Sequence, residues 1–222
     1  MQSWNLKELE KLILDLYGET QLELVAPSID SLTHRQNFAI YHYNEYVTLY
    51  GQLSQKRLNG KIEEITNNLN LVEKIAANIL ACLQNMHAIH DILGQVIYYA
   101  LNLKVEKEEF YLWHIVEAIQ KQKCYSKLYE LLNTLVKHED YKYLNNLMNR
   151  SKHTAVVLPY YRKSFIEGSP SGIILPRFQH KKSHSYFEKD AKNFLNTLYA
   201  RESNLLVQIG QEINQILNNK NV

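Results

Sequence analysis

The longest helical pattern in the chain runs without a proline from Asn70 to Leu103. At 100° per residue its large apolar residues fall in one stripe, as in an amphipathic helix buried along one side. His90 lies in the middle of this stripe, His87 at its edge and Asp91 one step further round. We therefore predict a long central helix that carries a histidine into the core. The stripe comprises Ile79, Leu83, Met86, Leu93, Ile97 and Leu101.

Helical spacing of apolar residues recurs on both sides of this segment. Gly18 is a typical helix-ending residue, and the stretch 19–27, which ends in a proline, is predicted to be a linker. The helix after this linker has a buried face rich in tyrosine, predicted as Leu32, Ala39, Tyr43, Tyr46, Val47, Tyr50 and Leu53. The spacing predicts helices over residues 6–17, 29–57, 110–120, 125–138, 141–151 and 186–217.

The pattern changes at Thr154, where two β-branched and aromatic runs, TAVVLPYYRKSFI and GIILPRFQ, flank the turn sequence GSPSG. Each run contains a proline, Pro159 or Pro176, which favours edge positions over a central strand. We predict a two-stranded hairpin, or β-arm, over approximately 154–186. The predicted fold is mainly α: a single helical bundle over residues 1–222, with two long helices and a small β-hairpin arm inserted before the C-terminal helix.

Composition and charge narrow the functional classes. No apolar run reaches the roughly 18 residues that a membrane span needs, and no secretory signal pattern is seen, so a cytoplasmic protein is expected. Cys82 and Cys124 are expected to be reduced core residues. From Arg150 to His184, seven lysines and arginines face a single acid, Glu167. Such a segment attracts polyanions such as RNA or a nucleotide phosphate, although a solvated surface of lysines is the alternative.

Two clusters could carry chemistry. His87, His90 and Asp91 have the spacing of neighbours on a helix surface, so they could form a polar pocket; core packing of His90 is the alternative. No metal ligand set and no cofactor are expected. The second cluster lies where the helical pattern gives way to the β-arm. It combines amide side chains with basic ones: Asn145, Asn146, Asn149, Arg150, Lys152 and His153. The alternative explanation for the basic residues is the helix dipole, which by itself favours positive charge at a helix C-terminus.

The central helix with HAIHDILGQVI (His87 to Ile97), the helix ending in NRSKHT (Asn149 to Thr154), the β-arm and the last long helix together resemble a group of uncharacterised bacterial proteins with HEPN-like helical bundles. By that resemblance, Asn149, Lys152 and His153 match an Asn-x-x-Lys-His motif at a helix end, which faces a helix bearing His87 and Asp91. Many HEPN proteins are ribonucleases with an arginine–polar–gap–histidine signature. In this chain only two residues separate Arg150 from His153.

The resemblance implies RNA or nucleotide binding, with or without cleavage, and a role in stress or defence. For cleavage it implies a metal-independent reaction in which His153 is the general base, Arg150 or Lys152 stabilises the phosphorane charge and Asn149 positions the substrate. The alternative function is a non-catalytic protein-interaction module whose β-arm pairs with a partner chain or with a second copy in a homodimer.

Overall fold

The protein was analysed as a computed structural model that describes residues 3–58, 69–104, 111–163, 171–180 and 184–221. Within these ranges the chain is mainly α-helical, as predicted, with short antiparallel strands before the C-terminal helix. The seven α-helices described are α1 (Leu6–Tyr17), α2 (Glu19–Leu58), α3 (Leu69–Ala100), α4 (Leu112–Gln120), α5 (Ser126–Lys137), α6 (Glu139–His153) and α7 (Ala191–Lys220). None of them is long and apolar enough to cross a membrane.

Most predicted helices are confirmed within a few residues, but the predicted linker over 19–27 is wrong. Gly18 ends α1 with φ of 81° and donates its backbone N–H to the Leu14 carbonyl, and α2 begins at the next residue. Pro27 lies inside α2. Val25 and Ile29, one on each side of it, are fully buried, so packing of the apolar face outweighs the helix-breaking tendency of proline. The sequence also predicts a short helix, or a run-in to the central helix, over residues 61–68; these residues lie outside the described ones.

The central helix is confirmed as α3, and all six residues of its predicted stripe are buried. Its two histidines are buried as well, with His90 at 2% and His87 at 6% exposure. On α2 one residue of the predicted buried face is wrong, because Val47 is 44% exposed. Cys82 is buried as expected, whereas Cys124 is exposed, and both thiols are free.

The strands form more than the predicted hairpin. β1 (Tyr160–Arg162), β2 (Gly172–Leu175) and β5 (Lys189–Asp190) build an antiparallel three-stranded sheet in the order β1-β2-β5. β3 (Phe178–His180) and β4 (His184–Tyr186) pair in a second, two-stranded sheet. Pro176 separates β2 from β3, so the predicted run GIILPRFQ supplies one strand to each sheet. The last helix, predicted from residue 186, begins at Ala191: Tyr186 ends β4, and Phe187 lies between β4 and β5 and is 79% exposed.

The described chain divides into two compact units, and the single domain predicted above stays a prediction. Unit 1 comprises Met1–Arg35, Ala88–Lys142 and Leu198–Val222, and unit 2 comprises Gln36–His87 and Tyr143–Thr197. The core of unit 1 joins α1, the start of α2, the end of α3, α4, α5 and the end of α7. In unit 2 the ring of Tyr143 packs edge-on against Phe178, Tyr186 and Phe194.

Candidate functional site

In unit 2 the predicted binding residues of α3 and α6 meet through a short chain of hydrogen bonds. Nε2 of His87 lies 3.0 Å from Oδ1 of Asn145, and Nδ2 of Asn149 donates to the same oxygen at 3.4 Å. Asn145 and Asn149 are four residues apart and therefore share one face of α6. The imidazole is buried, and the two amides are half-buried. His87 thus contacts α6 through Asn145. The predicted facing of His87 and Asp91 toward the Asn-x-x-Lys-His helix end stays a prediction.

Two other side chains of α6 form hydrogen bonds with strands β3 and β4. Nη1 of Arg150 donates to the backbone carbonyl of Gln179 in β3 at 2.6 Å, and Nδ2 of Asn146 donates to the hydroxyl of Tyr186 in β4 at 2.5 Å. A guanidinium bound to a carbonyl is oriented, but it still carries its full positive charge. Arg150 therefore has a structural partner, and its catalytic role stays a prediction.

The last turn of α6 presents Lys152 and His153 to solvent. Neither side chain has a hydrogen bond or an ion pair with any residue that the structure describes. The backbone at this end of α6 is hydrogen-bonded, because the Arg150 carbonyl accepts from the N–H groups of Thr154 and Ala155 at 2.9 and 3.1 Å. The two predicted cations are consequently available to a ligand without breaking any contact to the described chain.

His90 and Asp91 belong to unit 1, and His90 there joins a buried polar cluster of its own. Its Nε2 atom lies 3.1 Å from Oε2 of Glu202, and both side chains are almost fully buried. Nη2 of Arg201 lies 3.3 Å from the other carboxylate oxygen of Glu202. The carboxylate is therefore paired on both oxygens, which offsets the cost of burying its charge.

Tyr141 covers this cluster, with its ring centroid 4.8 Å from that of His90. Burial raises the pKa of the Tyr141 hydroxyl, and the negative charges of Asp91 and Glu202 raise it further. The hydroxyl is therefore neutral at physiological pH. His90 is thus packed against Tyr141 and contacts Glu202 in the interior of unit 1, and its part in a polar pocket stays a prediction.

Sequence reasoning missed Arg201, Glu202 and Tyr141. A signal for Glu202 was present: it follows Leu198 by four residues and precedes Leu205 by three, so it occupies an apolar position of the α7 stripe. A carboxylate in such a position indicates a buried cation or a histidine that pairs with it.

The described residues contain no group of three or more histidine, cysteine, aspartate or glutamate side chains that could hold a metal ion. Burial raises the pKa of the Cys82 thiol to about 12, so this cysteine is protonated and unsuited to nucleophilic attack at neutral pH. The two clusters can bind a ligand through hydrogen bonds and through charge. Comparison of the chain with protein-family models, with curated proteins and with solved structures yields no match, so the HEPN-like assignment stays a resemblance carried by short motifs.

Proposed function

We propose that the protein binds RNA, without cleaving it, through the basic end of α6. The observation that carries this proposal is the exposure of Lys152 and His153 with no partner among the described residues. RNA phosphates are the natural ligands of such cations, because each contact releases condensed counterions. The amides of Asn145 and Asn149 lie on the preceding turns of the same helix and add neutral hydrogen-bonding groups.

The charge of the surrounding chain supports the proposal. Between Tyr143 and Thr197, the second segment of unit 2, nine lysines and arginines face three acids. One of these acids, Glu188, is already paired with Arg162. The excess of positive charge is therefore larger than two cations at a helix end, which the helix dipole alone would explain.

Binding without cleavage fits the geometry better than catalysis does. A general base must be held within hydrogen-bond reach of the proton that it removes, and His153 has no described neighbour that orients its imidazole. His87 is buried and bound to Asn145, so its ring is placed for structure. The Arg150 guanidinium is directed at the carbonyl of Gln179.

A salt titration with a matched pair of variants tests the proposal. Lys152→Gln removes an exposed lysine from the last turn of α6, and Lys137→Gln removes one from the last turn of α5 in unit 1. Binding of a fluorescein-labelled single-stranded RNA is measured by anisotropy between about 50 and 200 mM salt. We expect Lys152→Gln to weaken binding and to lower the slope of log K against log salt by about 0.7, the value for one lost phosphate contact. Lys137→Gln should leave both unchanged.

Equal effects of the two variants, or no measurable RNA binding by the wild-type chain, would refute the proposal. Cleavage is followed on a denaturing gel with the same RNA. Intact RNA is expected. A cleavage product that disappears with His153→Ala would contradict the non-catalytic part and restore the ribonuclease-like reading.

A further inference from the structure

The extended chain that leads into β1 presents a row of apolar side chains to solvent. Val156, Leu158 and Tyr160 are 61%, 55% and 40% exposed, whereas Val157 and Pro159 between them are buried. This alternation has the two-residue period of a β-strand, with one row packed inward and the other facing outward. Large exposed apolar residues in a continuous row mark a surface that another molecule covers.

The backbone of the same stretch lacks a neighbouring strand. Pairing of β1 with β2 begins at Tyr160, and β1 is an edge strand of its sheet in the described structure. Ahead of it, residues 156–158 make a single hydrogen bond to the described chain, from the N–H of Val157 to Oγ of Ser151 at 3.5 Å. Open N–H and C=O groups beside an apolar row are what an added strand requires.

We propose that residues 156–162 bind one extended segment of a different protein, whose alternate residues are apolar and whose end nearest α6 is acidic. Lys152, in the last turn of α6, precedes the row and has no hydrogen bond or ion pair with any described residue. Arg162, which follows the row, is already paired with Glu188. An acidic residue at the α6 end of an added strand would therefore be attracted to Lys152, and this attraction favours one direction of the strand along the edge.

The charge of the stretch argues against a second copy of this chain as the occupant. Residues 152–163 include basic residues and no acid, so a second copy has no acidic residue there to place beside Lys152. Pro159 has no N–H group, so a pair of copies would lack a donor on both strands. A different segment lacks it on one strand only.

An acidic end that lies along Lys152 and His153 would occupy the cations assigned above to RNA. This consequence rests on the proposed function: RNA and the added strand then exclude each other, and the partner regulates RNA binding. The docking edge itself depends only on the apolar row and the open backbone.

Selection from a displayed library of random nine-residue peptides on the immobilised full chain tests the inference. We expect enriched peptides to alternate apolar residues in the middle and to carry aspartate or glutamate at one end. Affinity is then measured by anisotropy with a labelled synthetic peptide of the enriched sequence. Leu158→Ser should weaken binding about tenfold or more, as truncation of an interface anchor does. Leu24→Ser, which changes a leucine of similar exposure (50%) on α2, should leave it unchanged.

The competing outcomes are separated by three measurements. No enrichment over the Leu158→Ser chain overturns the inference, as does enrichment of peptides that lack the alternation or the acidic end. A dimer in sedimentation that Leu158→Ser abolishes also overturns it. Circular dichroism checks the fold of each variant, and Val156→Ser replaces Leu158→Ser if that chain does not fold. Displacement of the bound peptide by RNA is expected. A peptide that binds through Leu158 while RNA does not bind at all would leave the docking edge standing and refute the proposed function.

Discussion

The indole of Trp4 packs against Gly210 on α7, so the added methyl group of a Gly210→Ala variant should destabilise the fold. A Cβ atom at Gly210 would overlap the indole ring, so Gly210→Ala must expel Trp4 from its place. The displaced ring also loses the hydrogen bond from its Nε1 atom to Oδ1 of Asn214, which is 3.2 Å long. Asn214 is buried and keeps its bonds to the Asn5 carbonyl and the Glu8 carboxylate.

The size of the effect follows from the half-buried state of Trp4. An indole buries ~150–250 Å² when fully packed, so about half of this at ~25 cal/mol per Å² is ~2.5 kcal/mol. The lost hydrogen bond adds ~1 kcal/mol, and alanine in place of glycine inside a helix returns ~1 kcal/mol. The free energy of unfolding should therefore fall by about 2 kcal/mol, because the area figure is an upper bound. For a chain of this length the melting temperature should fall by about 4–8 °C.

The effect of Gly210→Ala on the free energy of unfolding should change sign in a chain that lacks the indole. In a Trp4→Ala chain, Gly210→Ala meets no ring and should raise the free energy of unfolding by about 1 kcal/mol through helix propensity alone. Urea unfolding of the four chains, followed by circular dichroism, gives the complete double-mutant cycle. A stabilising or neutral Gly210→Ala in the wild-type background would refute the proposed packing of Trp4, as would an equal effect in both backgrounds.

Four further predictions concern buried groups. At pH 8 a thiol reagent should label one cysteine per native chain, Cys124, and reach Cys82 only on unfolding, which mass spectrometry of the labelled peptides would show. Burial raises the pKa of the Cys82 thiol from 9.0 to about 12. The stability that this buried neutral thiol contributes is therefore complete below pH 9 and is lost as the pH rises toward 12. Cys82→Ala should accordingly lose less stability than the wild-type chain between pH 9 and pH 12, as measured by urea unfolding. Glu202→Leu should lower the free energy of unfolding by about 3–5 kcal/mol because it removes the buried carboxylate that His90 and Arg201 contact, whereas Glu202→Gln should cost less than half as much. Gly94→Val should lower the melting temperature more than Gly94→Ala does, since a Cβ there already lies 3.3 Å from the Cα of Leu112 and a branched side chain would separate α3 from α4.

The helices could be predicted because their apolar residues repeat with a local period. The bounds of α1 agree with the prediction, since Gly18 ends the pattern where the chain needs a positive φ. Pro27 misled the prediction, because its local preference is opposed by the burial of Val25 and Ile29, and that burial depends on distant segments. The strands were located to the correct region, but their division into two sheets depends on pairings between residues such as Leu175 and Lys189 that no local pattern encodes.

The candidate site was predictable in part for the same reason. Asn145, Asn149 and Lys152 lie on one short helix, so their grouping follows from local spacing. The pairing of His90 with Glu202 joins residues 112 positions apart, and the sequence gives no register between α3 and α7. Neighbouring positions on α3 consequently looked like one cluster, although His87 belongs to unit 2 and His90 to unit 1.

Neither compact unit is a continuous piece of chain, and this order has a consequence during synthesis. Unit 2 needs residues up to Thr197 before its parts are complete, and unit 1 needs residues after Leu198 although it begins near Met1. The apolar faces of α1 and of the end of α3 therefore leave the ribosome long before the end of α7, which completes the core of unit 1, is synthesised. Nascent chains arrested before residue 190 should accordingly be bound by chaperones and cut rapidly by proteases, whereas the released full-length chain should resist both.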